Sequence, residues 1–287
     1  MTTSYVHVDV FSSLPYSGNS LAVFPNAPGL TATQMLRVTQ ELRHFETVFF
    51  EPTTQASTVR ARIFDLFEEL PFAGHPLIGG AAVLHHGCGR AGPQTWRIEL
   101  SAKAVSVTTD RSERGYYGLL DQGAPEFLET IDRRDTFSAA FGLASSDLNP
   151  DLPLQVVSTG LRYLILPVAR GVLEHARIQS DITELLRGVG AQFAVLFDEA
   201  ALEVRHWNND GIVEDVATGS AAGTIGAYRL RYRLARGGET FVLNQGQYTG
   251  RPSTLRVRPE GTPEDVRTVK VGGDVAIVGR GTLDVLP

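Results

Sequence analysis

Two short segments, one in each half of the chain, constrain the fold more than anything else in the sequence: GHPLIGGAA at 74–82 and GSAAGTIGA at 219–227. Each opens on a glycine, continues in small residues and follows an acidic residue a few positions upstream, Glu69 or Asp215. Both read as helices. The first should begin near Pro76, since proline is tolerated where a helix starts and its missing N–H costs nothing there, and should run to about His86. The second covers 220–234. Small side chains in both admit two readings. One is helices packed so closely that only glycine and alanine fit. The other is two helix N-termini facing one cleft between pseudo-twofold domains, each offering free N–H groups to an anion.

The text around them alternates as strands do. Periodicity of two predicts strands over 5–11, 47–51, 58–66, 95–100 and 104–109 in the first half. A helix is expected over 31–44, capped by Thr31 and carrying Met35, Leu36, Val38 and Leu42 on its apolar face. Turn formers at 121–126 mark a domain boundary. Beyond it, helices are expected over 133–141, 181–187 and 220–234. Strands are expected over 154–158, 162–167, 194–198 and 201–207, with several short pieces after Phe241. Many strands and few helices, roughly repeated, argue for an α+β fold and against a βαβ nucleotide-binding sheet. The expected domains are 1–120 and 121–275, with a terminal strand at 276–286 returning to the first.

Composition removes several function classes. Apolar residues make up 43% and charged residues 20%, enough for a packed core and a wet surface, which excludes intrinsic disorder. The net charge of −6 comes without a basic run, so neither nucleic acid nor an anionic membrane surface is an expected partner. No apolar run approaches a membrane span, and residues 1–11 read as a first strand rather than a signal peptide, so the expected location is cytoplasmic. Cys88 is the only cysteine and is expected just past the first glycine-led helix. A disulfide, a four-cysteine zinc site and a two-thiol racemase are therefore impossible within the chain. Lys103, in the alternating stretch 101–107, and Lys270 are the only lysines; both read as outward strand positions, against Schiff-base chemistry.

Three places could do chemistry. Glu46 opens a strand among Phe45, Val48 and Phe49, where poor hydration would suit a carboxyl group to proton transfer; the bland alternative is a solvated strand start. His75, between Gly74 and Pro76, cannot be a mid-helix core residue, because proline disfavours the helical region for its predecessor. It is expected at the N-cap, either relaying protons or capping its own helix. Asp215, Gly219 and Ser220 lead into the second helix as an anion cradle would. Their spacing fits neither a dinucleotide fingerprint nor a nucleophile elbow. His85 and His86 are adjacent, which points them about 100° apart on a helix, and both read as surface residues. His7, His175 and His206 carry no motif.

Taken in order, GNSLAVF at 18–24, FETVF at 45–49, ELPFAGHP at 69–76, EDVATGSAAG at 214–223 and VGGDVAIVGRGTL at 271–283 resemble the phenazine-biosynthesis isomerase (PhzF-like) family along essentially the whole chain. The resemblance implies a diaminopimelate-epimerase-like fold: two pseudo-symmetric α+β domains, each a curved sheet wrapped around a central helix, commonly in a homodimer. It implies a cofactor-independent isomerase that moves a proton on a small carboxylated metabolite. Glu46 would shuttle the proton, and His75 and Asp215 would hold or polarise the substrate. Gly74, Gly219 and Ser220 would supply backbone and hydroxyl contacts, with Asn19 a further cleft residue. The chain departs from the family at 43–45, where Arg43, His44 and Phe45 replace a usual Asn-Leu-Ser. Ser20 and Val216 replace prolines, and Asp65 and Leu66 replace a Thr-Pro pair. These changes at the pocket rim argue against assigning phenazine synthesis itself.

Two other classes compete: a small-molecule-binding protein that kept the cleft and lost turnover, and a hydrolase using Ser220, for which only His75 lies in a motif as a partner. Deuterium incorporation into candidate metabolites in heavy water separates isomerisation from both. The histidine and glycine spacings predict neither a metal nor an organic cofactor. Elemental analysis of purified protein should therefore give less than stoichiometric zinc, and its absorbance spectrum should lack flavin and nicotinamide bands.

Overall fold

The computed structural model describes residues 2–27, 29–101 and 103–287. Met1, at the head of the expected first domain, and Ala102, in the alternating stretch 101–107, lie outside the described residues. The chain forms two units, Met1–Asp121 with Gly272–Pro287, and Gln122–Val271. The first holds β1 (Thr3–Val10), β2 (Asn19–Phe24), α1 (Ala32–Leu42), β3 (Glu46–Pro52), β4 (Thr58–Phe64), β5 (Glu69–Leu70), α2 (Gly74–Cys88), β6 (Gln94–Glu99), β7 (Ala104–Ser112) and β8 (Gly115–Asp121). The second holds β9 (Glu126–Ile131), α3 (Arg134–Ala140), β10 (Leu154–Ser158), β11 (Arg162–Val168), α4 (Thr183–Arg187) and β12 (Phe193–Asp198). It continues with β13 (Glu203–His206), α5 (Gly219–Arg231), β14 (Phe241–Gln245) and β15 (Ser253–Gly261). The last strand, β16 (Val266–Leu283), begins in the second unit and ends in the first.

In the first unit the strands run in chain order from β1 to β8, with β5 beside β4 only. β2 and β3 are parallel, as are β4 and β6, and β1 also pairs antiparallel with β16 from Val275 to Leu283. Side chains alternate across this sheet and so divide between two helices. Ala22, Phe24, Phe49 and Phe64 pack with Met35 and Val38 of α1. On the other face α2 packs on β1, β2, β3, β6, β7 and β8. α1 forms where expected: Thr31 and Gln34 close a capping box, and Arg43 ends the helix in the left-handed conformation, its N–H donating to the Thr39 carbonyl.

The small residues of α2 are there for contact. A Cβ on Gly79 would stand 2.7 Å from Leu21 Cδ2 and Val10 Cγ2, and one on Gly80 would stand 2.5 Å from the Phe50 ring. The second unit repeats the device. α5 packs on β10, β11 and β15, and a Cβ on Gly226 would lie 2.6 Å from Val257. A Cβ on Gly223 would collide with Gln122. The opposite face of that sheet packs Leu154, Val156, Leu164, Leu166 and Leu196 against Phe137 of α3, Phe141 at its C-cap and Leu186 of α4. The result is a sheet-rich α+β architecture with mixed strand directions.

Several expectations need correction. β2, β5, β8 and β9 were not foreseen, because glycine, serine and charged residues interrupt their alternation. The pieces expected after Phe241 include one strand of 18 residues, β16, whose glycines hid its length. His85 is fully buried rather than on the surface, its Nδ1 3.0 Å from Thr109 Oγ1 and its Nε2 3.1 Å from the Arg90 carbonyl. Cys88 is the last residue of α2 rather than beyond it. Lys103 precedes β7 and is half-buried, with its ammonium 4.3 Å from the centre of the Phe72 ring; burial lowers its pKa. No helix among the described residues is long and apolar enough to cross a membrane.

The glycine packing makes a paired test. Gly79→Val forces side-chain atoms into Leu21 and Val10 and should destabilise the protein by about 1–3 kcal/mol, as overpacking does. Gly87→Ala, where nothing lies within 4 Å of the added Cβ, should stabilise by about 0.5–1 kcal/mol through helix propensity. Urea unfolding midpoints measure both.

Candidate active site

The residues singled out in the first half assemble at the start of α2. Alternation along β3 puts Glu46 on the face that carries Val48 and Phe50, the face on which α2 lies. Its Oε2 is 3.2 Å from His75 Nδ1, and both side chains are buried. Asn19, the first residue of β2, brings Nδ2 to 3.5 Å from the same His75 nitrogen. Gly74 is the first helical residue and buried. One expectation changes. His75 is the second residue of α2, and the N-cap is Ala73, which makes no side-chain cap. The first turn has no intrahelical use for its N–H groups, so Pro76 sits there without loss and His75 takes helical geometry in spite of the proline after it.

The residues of the second half assemble at the start of α5. Gly219 is its first residue and Ser220 its second, again without a side-chain cap at the N-cap Thr218. Ser220 Oγ lies 2.8 Å from the hydroxyl of Tyr163 on β11. Asp215 is buried; its Oδ2 accepts from the Thr218 hydroxyl at 2.6 Å, and its own N–H donates to the His206 carbonyl at 2.9 Å. Gln245 completes the turn. Its Nε2 donates to the Asp215 carbonyl and to Thr218 Oγ1, both at 2.9 Å, and its Oε1 accepts from the Thr218 N–H at 2.9 Å. Gln122 Nε2 donates to the Gly219 carbonyl at 2.8 Å. Glu214 is held separately, by Arg205, which donates through Nε and Nη2 and lies between the Trp207 and Tyr248 rings.

Sequence reading missed Tyr163, Thr218, Gln245 and His206. Thr218 stood within a quoted motif, and Tyr163 sits at the polar tip of an otherwise aliphatic strand, which is a usable signal. His206 and Gln245 carry none, because their partners come from distant strands. His206 is buried, its Nδ1–H donates to the Ala194 carbonyl at 2.8 Å, and its ring meets Tyr163 and Phe193 edge-on. Among the described residues, no group of three or more His, Cys, Asp or Glu side chains could hold a metal ion.

Burial lowers the pKa of His206, with Asp215 opposing as the largest charge effect. A histidine whose folded pKa lies below its unfolded value leaves stability intact above the unfolded pKa, near 6.5, and costs stability as pH falls below it. The wild-type unfolding free energy should therefore decline between pH 7 and 5. His206→Asn keeps a donor toward Ala194 but does not titrate, and it should lose that part of the slope in urea melts.

The sequence matches the family model described as phenazine biosynthesis-like protein over residues 8–281. It is 32% identical over 291 residues to an uncharacterized isomerase of Pasteurella multocida, covering 99% of this chain and 96% of that one. It is 31% identical over 294 residues to the trans-2,3-dihydro-3-hydroxyanthranilate isomerase of Pseudomonas aeruginosa, covering 96% and 98%. Among solved structures, one described as a predicted epimerase from Pseudomonas aeruginosa aligns with a TM-score of 0.93 at 45% identity, over 99% of both chains. A probable proline racemase from Agrobacterium radiobacter aligns with a TM-score of 0.65 at 14% identity, over 99% of this chain and 93% of that one, a likeness of fold. The chain therefore belongs to the phenazine biosynthesis-like family and is an isomerase.

Proposed function

We propose that the enzyme moves a proton on a small carboxylated substrate by side-chain acid–base catalysis, with Glu46 as the carrier. The observation that supports this most is the buried contact of Glu46 with His75 at 3.2 Å. A single proton between a carboxyl group and an imidazole nitrogen can sit on either, so the pair offers both a base and an acid in one place. In the reaction, the Glu46 carboxylate takes a proton from a substrate carbon, the electron pair left behind moves the double bond, and the same group returns the proton to another carbon. The negative charge that develops needs fixed dipoles. The first-turn N–H groups of α2 and α5, neither of which has a side-chain cap, are suited to a carboxylate. Asp215 and Ser220 would serve the same turnover, accepting from and donating to an amino or hydroxyl group.

We take the fold in its finer detail to be the epimerase-like one, with α2 and α5 as the centres of their units. The burial of eleven of the fifteen residues of α2 and twelve of the thirteen of α5 supports this. The relative's activity makes trans-2,3-dihydro-3-hydroxyanthranilate the first compound to assay. The departures at Ser20, 43–45 and Val216 are reasons to assay other small carboxylates beside it.

Glu46→Gln preserves size and a hydrogen-bonding head but cannot carry a proton. Turnover and solvent-deuterium exchange should fall by at least ~10²-fold, the lower end for positioned acid–base catalysis. Binding of a carboxylate ligand should stay within about tenfold, or ~1.4 kcal/mol. More than a tenth of wild-type exchange in the variant would remove Glu46 from the role and make His75 the first suspect.

A further inference from the structure

A second cluster of ionisable groups lies on the other face of the same sheet. Ser20 and His44, two of the positions where the sequence departs from its family, meet there: Ser20 Oγ is 2.8 Å from His44 Nδ1. The same hydroxyl is 2.9 Å from His7 Nε2, and the two imidazole rings stand 4.5 Å apart, centre to centre. Asp9, fully buried and accepting from the Tyr16 N–H, has Oδ1 3.9 Å from His7 Nε2. Across the β1–β16 pairing, Gly279 stands opposite His7 and Arg280 opposite Val6. On β2, Ala22 stands opposite His7. From α1 come Glu41 in the last turn and Arg43 at the cap.

The bridge spans the two strand starts that carry the proposed catalytic groups. Ser20 follows Asn19, and His44 precedes Glu46 by two residues. β2 and β3 run parallel with Leu21 opposite Glu46, so tying Ser20 to His44 fixes the offset between them at the end where His75 is held. We propose that His7, Ser20 and His44 form a positioning bridge that keeps Glu46 and Asn19 at His75 and whose protonation tunes that contact. This deepens the reading of Glu46 as the proton carrier and rests on it. The chemistry is specific. A hydroxyl has one hydrogen, so between two neutral imidazoles it donates to one and accepts from the N–H of the other. Asp9 favours the hydrogen on His7 Nε2, which leaves the hydroxyl donating to His44 Nδ1. One added proton turns His44 into a donor and reverses that bond. A second places two cations in contact, and mutual repulsion makes the pair titrate in two separate steps.

The test follows imidazole resonances of the full-length protein by NMR from pH 8 to 5, a readout that needs no substrate. In wild type, the His75 signals should show an inflection at the midpoint of the His7–His44 pair. Ser20→Ala removes the hydroxyl and should abolish that shared inflection while the protein stays folded. His44→Gln can still bond Ser20 but does not titrate. It should lose the bridge's inflection from the pH–rate profile, whereas Ser20→Ala should lower kcat about tenfold with a smaller change in KM. A His75 titration curve identical in wild type and both variants overturns the bridge. Since those curves are read without turnover, that result stands apart from a failure of Glu46→Gln to stop exchange, which would sink the proton-carrier reading and leave the coupling as measured.

Discussion

Hydrogen in place of a side chain at Gly79 and Gly80 lets α2 lie directly on β1, β2 and β3, and the position of the helix start that carries His75 depends on that distance. A methyl group at either position would lift the helix off Leu21, Val10 or the Phe50 ring. The first turn of α2 would move with it, and His75, one residue into that turn, would leave Glu46. Glycines that fill no space thus set the Glu46–His75 contact distance several residues away. Interiors at crystal-like density transmit such displacements because few voids can absorb them.

Burial then gives the Glu46–His75 contact its character. Two ionised groups taken out of water lose more hydration than a bare Coulomb attraction returns, and such pairs survive when further hydrogen bonds hold them or when they share a single proton. Asn19 is the neutral third member, and its amide can adjust to either position of the proton. On the second unit the polar groups are handled differently. Thr218 bonds the Asp215 carboxylate, and Gln245 bonds Thr218 and the Asp215 carbonyl, so these polar groups are held by their own closed turn. Fixed polar groups cost no reorganisation when charge develops, which is where enzymes gain most from them.

What could be read from the sequence follows from how local each signal is. The α1 cap, the extents of β10 and β11 and the glycine-led helices are decided by neighbours a few residues apart, so periodicity and capping chemistry found them. Glu46, His75 and Asn19 were legible as candidates because each stands in a short motif, but that one imidazole nitrogen faces both partners is a tertiary fact. His206, Gln245 and Tyr163 were invisible as a set: β13, β14 and β11 come together only through the sheet. His85 was misjudged for a related reason. Its neighbour His86 is half-exposed, and only Thr109 and the Arg90 carbonyl, both outside α2, give the buried ring its bonds. The N-cap assigned to His75 failed because the rule against helical geometry before proline is steric and weak, and the helix starts one residue earlier, after Ala73.

The second helical position is the common element of the two sites. A side chain there leans back toward the N-terminus, over the first turn of its own helix. His75 holds that place on α2 and Ser220 on α5. The two are not chemically equivalent. An imidazole beside a carboxylate can carry a charge, whereas a hydroxyl paired with a tyrosine hydroxyl donates and accepts hydrogen bonds without changing charge. An enzyme that inverts a stereocentre with two bases needs a proton acceptor and a proton donor of similar strength on opposite sides. The only cysteine, at the far end of α2, cannot supply either. The first unit thus starts its helix on an ionisable side chain and the second on a neutral one.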